Sequence, residues 1–318
     1  MEEGGALPSR HLEFGRELAD YGVDLAIEVA TVVWLPEEDR PSEAEAVALL
    51  AAGVPAWARR RQRRQLRLAQ RLEENPQRLL DGWLPTATHL WAASVVVIDE
   101  VLDRHRPALA AGARVLELGS GLGLPGMVCA ALGARAVLTD MPEVCELLLQ
   151  NAVANELCRA EPQPGSGAWH ERVGRDTVDG PLAGATCSSS SNNSGSSRVR
   201  VVPLRWDLAA ARRLAKEEGG FDLVLCCDCV FEPLYGQSWV ALAQCVEAAC
   251  GPSTTAYVSV QRRSDKDGVD AFLKRLAASL VLDHLPTPAA EQAGRIEVFE
   301  LRRPRPGEQP GLRPEGKG

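Results

Sequence analysis

The sequence predicts an α/β fold in which helices cover both faces of a mostly parallel sheet, preceded by an N-terminal extension. Apolar strand-like segments alternate with helical segments from Arg114 to Ala278. Two more strand segments, Leu280 to Leu285 and Arg295 to Leu301, follow with no helix between them. Because a parallel crossover usually needs a helix, this last pair is predicted to form an antiparallel hairpin. The sheet is therefore predicted to have seven strands.

The segment from Arg114 to Asp140 is the most informative part of the chain. It contains a short apolar strand, a glycine-rich turn, a helix and a second strand that ends in a carboxylate. The glycines at 119, 121 and 123 let the backbone turn sharply and leave bare main chain for a ligand to lie against. Asp140 is placed to accept hydrogen bonds from two ribose hydroxyls. This layout predicts a binding site for a nucleotide-type cofactor.

Two residues discriminate between cofactors, because Gly121, Gly123 and Gly126 also match the dinucleotide pattern G-x-G-x-x-G. Pro125 removes a backbone N–H that a pyrophosphate would need at the start of the helix. Glu117 would repel a pyrophosphate but can help to hold a cationic amino group. S-adenosylmethionine has an amino group, a ribose and no phosphate. The residues therefore favour S-adenosylmethionine, with a dinucleotide as the alternative.

The remaining elements follow in an order that places further candidates at the carboxyl edge of the sheet. Phe221 to Cys227 is an almost continuous apolar run, typical of a central parallel strand covered on both sides, and Asp228 closes it. Trp206 follows the strand Arg198 to Leu204. The other predicted elements are helices at Glu143 to Cys158, Tyr235 to Ala249 and Lys266 to Ala278, and a strand at Thr254 to Gln261.

The flanking segments have a different composition. Residues 1–78 are predicted to be an extension, with a strand or hairpin in Asp24 to Leu35 and an arginine-rich helix from Arg59 to Arg71. The arginines read as a solvated helix face, with a nuclear-import signal or a patch for an acidic partner as alternatives. Residues 79–303 form the main domain, and its polar, serine- and glycine-rich stretch at 160–198 is predicted to be a flexible insertion. Residues 304–318 are predicted to be a disordered tail.

Composition narrows the classes of function and location. The chain of 318 residues has 35 basic and 43 acidic residues, a net charge of -8, so general attraction to nucleic acid or to an anionic membrane is not expected. No apolar run is long enough to span a bilayer, and the acidic start lacks a signal-type segment. The nine cysteines lie mostly in apolar runs, which suggests free thiols in a reducing compartment. A cytoplasmic monomer is expected, with the nucleus as a further location.

A metal site is not predicted. Cys226, Cys227 and Cys229 lie in the segment LVLCCDCVF, where a strand sends neighbouring side chains to opposite faces. A zinc site needs converging ligands, and no histidine accompanies these cysteines.

Residues from about 80 to 303 resemble methyltransferase family 16, the seven-strand protein-lysine methyltransferases that act on non-histone proteins. The matching segments, in order, are LWAAS, VLELGSGLGLPG, LTDMPEVCELLLQNAVAN, VVPLRWD, FDLVLCCDCVFEPLYG, AYVSVQRR and IEVFELRR. The resemblance implies a Rossmann-like methyltransferase sheet, S-adenosylmethionine as cofactor and a lysine-containing protein as substrate. Translation elongation factors and chaperones are substrates typical of this family.

The resemblance also implies roles for cofactor-site residues. Gly119, Ser120 and Gly121 would wrap the methionine portion of the cofactor, and Asp140 would hold the ribose. The other implied cofactor contacts are Trp91 on the pocket wall, Trp206 on the adenine and Cys227 beside the base. Trp206 as simple core is the alternative, because tryptophan is highly buried on average.

On the acceptor side, Asp228 to Phe231 match the family motif D-x-x-Y beside the target amine, with phenylalanine in place of tyrosine. Asp228 is expected to orient the amine through its carboxylate or the adjacent backbone carbonyl, or alternatively to cap the following helix. Phe231 is expected to pack against the lysine stem, and Tyr235 can supply a hydroxyl. Gln261 is a further departure, because an acid is usual there.

Two other classes of function remain open from the sequence. One is a methyltransferase for a small molecule or RNA, for which the arginines at 59–71 are the visible basic candidates. The other is an NAD-dependent oxidoreductase or a catalytically inactive binding scaffold on the same type of fold.

Overall fold

The computed structural model describes residues 12–19, 27–34, 64–71, 86–87, 89–158, 197–286 and 295–313. These residues form an antiparallel three-stranded sheet and a mixed eight-stranded sheet. The small sheet consists of β1 (Leu12–Ala19), β2 (Ile27–Trp34) and β3 (Arg64–Arg71). The large sheet consists of β4 (Arg114–Leu118), β5 (Arg135–Asp140), β6 (Val199–Pro203), β7 (Leu223–Cys227), β8 (Thr255–Gln261), β9 (Val281–Leu285), β10 (Ile296–Arg302) and β11 (Gly311–Arg313).

Helices cover both faces of the large sheet, as predicted. They are α1 (Ala92–Ala110), α2 (Leu124–Ala131), α3 (Pro142–Ala154), α4 (Leu208–Glu217), α5 (Glu232–Tyr235), α6 (Trp239–Ala249) and α7 (Val269–Ala277). Apolar residues of α1, α2 and α3 belong to one buried core, and those of α4, α6 and α7 belong to a second core. The sheet therefore separates two hydrophobic layers, the arrangement expected of an α/β fold.

Successive side chains of the central strands point alternately into the two cores. In β7, Leu225 and Cys227 belong to the first core, whereas Val224 and Cys226 belong to the second. All five residues of this strand are buried, which explains its continuous apolar sequence. Cys226 and Cys227 accordingly lie on opposite faces of the sheet.

The strand order β11-β9-β10-β8-β7-β4-β5-β6 makes β7, β4 and β5 neighbours, and none of these three is an edge strand. The neighbours β6, β5, β4, β7 and β8 are parallel. The predicted antiparallel hairpin is confirmed, since β10 pairs antiparallel with β9 and also with β8. Because β4 lies between β5 and β7, the chain leaves β4 on one side and later returns on the other. Ligands of open α/β sheets bind at the carboxyl ends of the strands beside such a switch point.

The chain end differs from the prediction of a seven-stranded sheet followed by a disordered tail at 304–318. Strand β11 adds an eighth strand, parallel to β9, with Leu312 opposite Leu282. Glu308 holds the preceding turn, because its carboxylate accepts hydrogen bonds from the Arg302 guanidinium at 2.6 and 2.8 Å and from the Arg305 N–H at 2.7 Å. These contacts fold the chain back onto the sheet edge. Residues 314–318 lie outside the described part.

The arginine-rich helix predicted in the N-terminal extension is wrong for residues 64–71, which form β3. The buried side chains Leu66 and Leu68 stand two residues apart and join the core that includes α2 and α3. This spacing matches the period of a strand rather than that of a helix. Strand β2 forms inside the predicted strand segment. Residues 59–63 and most of the predicted flexible insertion, residues 159–196, lie outside the described residues.

Two observations concern compartment and membrane. None of the described helices is long and apolar enough to cross a membrane. Of the described cysteines, those at 129, 145, 226, 227, 229, 245 and 250 are free and buried.

Candidate functional site

A cavity of about 390 Å³ opens at the carboxyl ends of β4, β5 and β7. Its wall includes every predicted site residue except Glu117 and Phe231. The predicted residues on its wall are Trp91, Gly119, Ser120, Gly121, Asp140, Trp206, Cys227, Asp228 and Tyr235. The wall also includes residues that the sequence did not single out as site residues, among them Thr86, His89, Met141 and Ser238.

The loop after β4 presents bare main chain to the cavity. Gly119 and Gly121 have φ angles of 64° and 52°, in the left-handed region that favours glycine. A Cβ atom on Gly119 would lie 2.5 Å from the Cys229 sulfur, and one on Gly121 would lie 3.0 Å from the Ala87 carbonyl oxygen. Both the conformation and the space therefore require glycine at these two positions.

Ser120 fastens this loop to the neighbouring strand. Its backbone N–H donates to the Thr139 carbonyl at 2.9 Å, and the Thr139 N–H donates to the Ser120 hydroxyl at 3.0 Å. The Ser120 hydroxyl also donates to the Glu117 carbonyl at 3.2 Å. These three hydrogen bonds fix the conformation of the loop beside the cavity.

Asp140 stands at the end of β5 with both carboxylate oxygens oriented by the backbone. One oxygen accepts from the Gly121 N–H at 2.7 Å and the other from the Met141 N–H at 2.7 Å. Burial raises the pKa of this carboxyl to about 6. A carboxylate has about four acceptor positions, so each oxygen can accept a further hydrogen bond. This geometry suits a pair of ribose hydroxyls.

Glu117 does not lie on the cavity wall, contrary to its prediction as a cofactor contact. Its side chain lies within the protein, where the carboxylate accepts from the Gly126 N–H at 3.1 Å. Burial raises its pKa to about 8. Residue 117 of β4 points its side chain toward α2. This carboxyl therefore contacts the first turn of α2 rather than the cavity.

The first turn of α2 has little capacity to bind a pyrophosphate. Pro125 has no N–H, and the N–H of Gly126 already donates to Glu117. Dinucleotide sites of the G-x-G-x-x-G type use such free N–H groups at the helix start. The glycine cradle, the Asp140 carboxylate and the occupied helix terminus together fit a phosphate-free adenosyl cofactor such as S-adenosylmethionine.

The raised pKa of Glu117 predicts a pH-dependent stability. Between its ordinary pKa of about 4.3 and its folded value of about 8, the folded protein keeps a proton that the unfolded chain has released. The free energy of unfolding therefore falls as pH rises through this window. The variant Glu117→Gln has no proton to lose there, so its melting temperature should decrease less than that of the wild type between pH 5.5 and 8.5.

Differential scanning fluorimetry of the protein without cofactor would measure this effect. Glu308→Gln is a suitable control, because hydrogen bonds from Arg302 hold the pKa of Glu308 below its usual range, outside the window. Its pH slope should match that of the wild type. Equal slopes for the wild type and Glu117→Gln would show that Glu117 is ionised in the folded protein.

Trp206 and Cys227 form the part of the wall assigned to the adenine. Trp206 is half-buried, lines the cavity and also packs against the second core. A Cβ atom on Gly119 would lie 3.5 Å from its ring. Asp207 fixes the backbone beside it, because its carboxylate accepts from the Ala210 N–H at 2.8 Å and caps α4. Trp206 therefore both packs against the core and forms part of the cavity wall.

Asp228 lies at the end of β7 with an unusual backbone and a buried carboxylate. Its φ angle is 54°, and its side chain is 1% exposed. Both carboxylate oxygens accept from the Arg263 guanidinium, and one also accepts from the Gln261 N–H at 3.1 Å. The N-cap of α5 is Phe231, so Asp228 does not cap this helix.

The other two predicted catalytic residues have different positions. The Phe231 ring is not part of the cavity wall and lies 5.5 Å from the Arg263 guanidinium. Tyr235 does line the cavity, and its hydroxyl is 2.6 Å from the Thr86 hydroxyl. Burial raises the Tyr235 pKa to about 12, so its hydroxyl stays neutral at physiological pH.

Comparison with known proteins assigns this chain to a family. A sequence profile described as lysine methyltransferase matches residues 81–182 and 188–279. The secreted RxLR effector protein 48 of Plasmopara viticola is 29% identical over 187 residues, 56% of this chain and 79% of that protein. EEF1A lysine methyltransferase 3 of Mus musculus is 25% identical over 220 residues, 69% of this chain and 73% of that protein. Protein N-lysine methyltransferase METTL21A of Danio rerio is 28% identical over 203 residues, 63% and 72% of the two chains.

Proposed function

This chain belongs to the lysine methyltransferase family, and on that premise we propose that it transfers a methyl group from S-adenosylmethionine to a lysine side chain of a protein. The observation that carries the proposal is the cavity at the carboxyl ends of β4, β5 and β7. A glycine cradle and an oriented Asp140 carboxylate form its cofactor side. Asp228 and Tyr235 form the side where an acceptor amine would stand.

The reaction requires little covalent work from the protein. The bound cofactor supplies a methyl group that its sulfonium already activates. The residues around the cavity must hold an amine nitrogen in line with that methyl group and exclude water. A free lysine with a pKa of about 10.4 is mainly protonated at neutral pH and cannot attack. Removal from water in a largely apolar cavity favours its neutral form.

The proposed substrate is a translation elongation factor or a chaperone. The name of the Mus musculus relative supports the first of these, because it refers to EEF1A. The net charge of -8 supports a protein acceptor over RNA, since polyanions would be repelled in general. We place the enzyme in the cytoplasm, with access to the nucleus, and expect it to act as a monomer.

A methyl-transfer assay tests the proposal directly. Purified protein and radiolabelled S-adenosylmethionine are added to an extract of cells that lack this protein. Label should enter one protein band and map to a lysine by mass spectrometry. Label confined to RNA or to small molecules would refute the lysine assignment while leaving the methyltransferase fold intact.

A further inference from the structure

We infer that Arg263 is a positioning residue that sets the geometry of the acceptor side of the cavity. The inference rests on the proposed methyl transfer, since it concerns how the acceptor amine is presented. Arg263 follows β8, directly beside the end of β7 where Asp228 lies. It does not itself line the cavity.

The guanidinium of Arg263 binds the Asp228 carboxylate in a fork. One nitrogen donates to Oδ1 at 2.9 Å, and the second donates to Oδ2. The same two nitrogens donate to the Gln261 carbonyl at 3.3 Å and to its side-chain oxygen at 3.2 Å. A bidentate pair of this kind fixes both the distance and the plane of the carboxylate. Asp228 therefore cannot rotate without breaking two charged contacts.

Two aromatic rings hold the guanidinium in turn. Its central carbon lies 5.2 Å from the centre of the Trp91 ring and 5.5 Å from that of Phe231. Both distances are within the range of cation–π attraction. Trp91 is on the cavity wall, at the start of α1. Arg263 thus connects the cofactor-side wall to the acceptor side, and Phe231 acts behind it rather than in the cavity.

The contact also stabilises a backbone conformation that a non-glycine residue rarely adopts. The φ angle of Asp228 is 54°, and its N–H donates to the Ser259 carbonyl at 2.7 Å. Its neighbours Cys227 and Cys229 both line the cavity. The shape of the wall from 227 to 229 therefore depends on the carboxylate that Arg263 holds.

The pairing has a chemical consequence for the acceptor. A lysine ammonium would have to compete with Arg263 for the two carboxylate oxygens, which the guanidinium already engages. The Asp228 carboxylate is therefore held by Arg263 rather than by the acceptor, and the pair acts on the amine through the shape of the wall. Arg263 in this way favours a neutral amine over a bound ammonium ion.

Substitution at 263 tests the inference. Arg263→Ala should lower kcat about 100-fold, and Arg263→Lys at least about tenfold, because an ammonium does not reproduce the planar fork. The Kd for S-adenosylhomocysteine should stay within about threefold in both variants. Added methylguanidinium should restore part of the activity of Arg263→Ala at concentrations that leave its melting temperature unchanged.

Arg302→Ala is the matched control, because Arg302 makes a similar bidentate pair with Glu308 far from the cavity. It should keep the wild-type kcat and show no response to methylguanidinium. Wild-type kcat in Arg263→Ala, or a loss that methylguanidinium does not reverse, would overturn the positioning role. A wild-type enzyme that labels only RNA would refute the proposed function instead, and a wild type that labels nothing would overturn both.

Discussion

Replacing Asp140 by asparagine should weaken the binding of S-adenosylhomocysteine about 100-fold, as measured by isothermal titration calorimetry. Hydrogen bonds to a charged acceptor contribute about 1.5–3 kcal/mol each, and two ribose hydroxyls would lose their charged partner. A combined loss of about 2.8 kcal/mol corresponds to this factor. The amide oxygen can still accept the Gly121 N–H that Asp140 accepts at 2.7 Å, whereas the NH2 group cannot accept the Met141 N–H, so one of the two backbone contacts is lost as well.

The pKa of Asp140 gives a second readout of the same contact. Because burial raises this pKa to about 6, the carboxylate gains a proton as pH falls below that value. Wild-type affinity for S-adenosylhomocysteine should therefore decrease between pH 7 and 5, whereas that of Asp140→Asn should change little. Asp207→Asn serves as the control, since Asp207 caps α4 beside the site but is not on the cavity wall. Unchanged affinity in Asp140→Asn would remove Asp140 from the cofactor site.

Local spacing was sufficient to predict which residues of this unit meet at the cavity. The glycines at 119 and 121 and the carboxylate of Asp140 lie within one strand–turn–helix–strand unit, whose geometry is nearly fixed by the chain itself. Glu117 belongs to the same unit but was placed on the wrong side of the loop. Its partner is the Gly126 N–H in the first turn of α2, a contact that a one-dimensional pattern does not show.

The errors elsewhere came from weak or competing local signals. The arginines around β3 suggested a helix, yet the side chains that decide the structure are Leu66 and Leu68, two residues apart on one buried face. Strand β11 has three residues and little hydrophobic pattern of its own. It is held at the sheet edge by ion pairs of the Glu308 carboxylate with Arg302 and Arg313. These pairs join residues six and five positions apart, and a hydrophobic pattern does not show them.

The partner of Asp228 could have been predicted from the sequence. Parallel strands end at the same edge of a sheet, so a residue just after β8 must lie near one just after β7. Arg263 satisfies that condition, and a buried aspartate at this edge needs a cation or several N–H donors. The aromatic contacts of Arg263 with Trp91 and Phe231 depend on the start of α1, which only the folded chain reveals.

Asp228→Asn should reduce kcat for methyl transfer about 100-fold while the Kd for S-adenosylhomocysteine stays within about threefold. The asparagine amide cannot form the charged fork with Arg263, so the wall from 227 to 229 loses its support. Asparagine is preferred to alanine, because its amide oxygen can still accept a hydrogen bond from the Arg263 guanidinium, whereas alanine offers no side-chain acceptor. Single-turnover transfer with saturating cofactor would measure the effect.

Asp222→Asn is the control for this experiment, since Asp222 pairs with Arg114 at the opposite end of the same strand. It should leave kcat unchanged. If Asp228 and Arg263 act as one unit, the double variant Asp228→Asn with Arg263→Ala should lose little more activity than the more damaged single variant. Multiplicative losses would mean that the two residues act independently. Equal losses of cofactor affinity in the Asp140 and Asp228 variants would contradict the division between a cofactor side and an acceptor side.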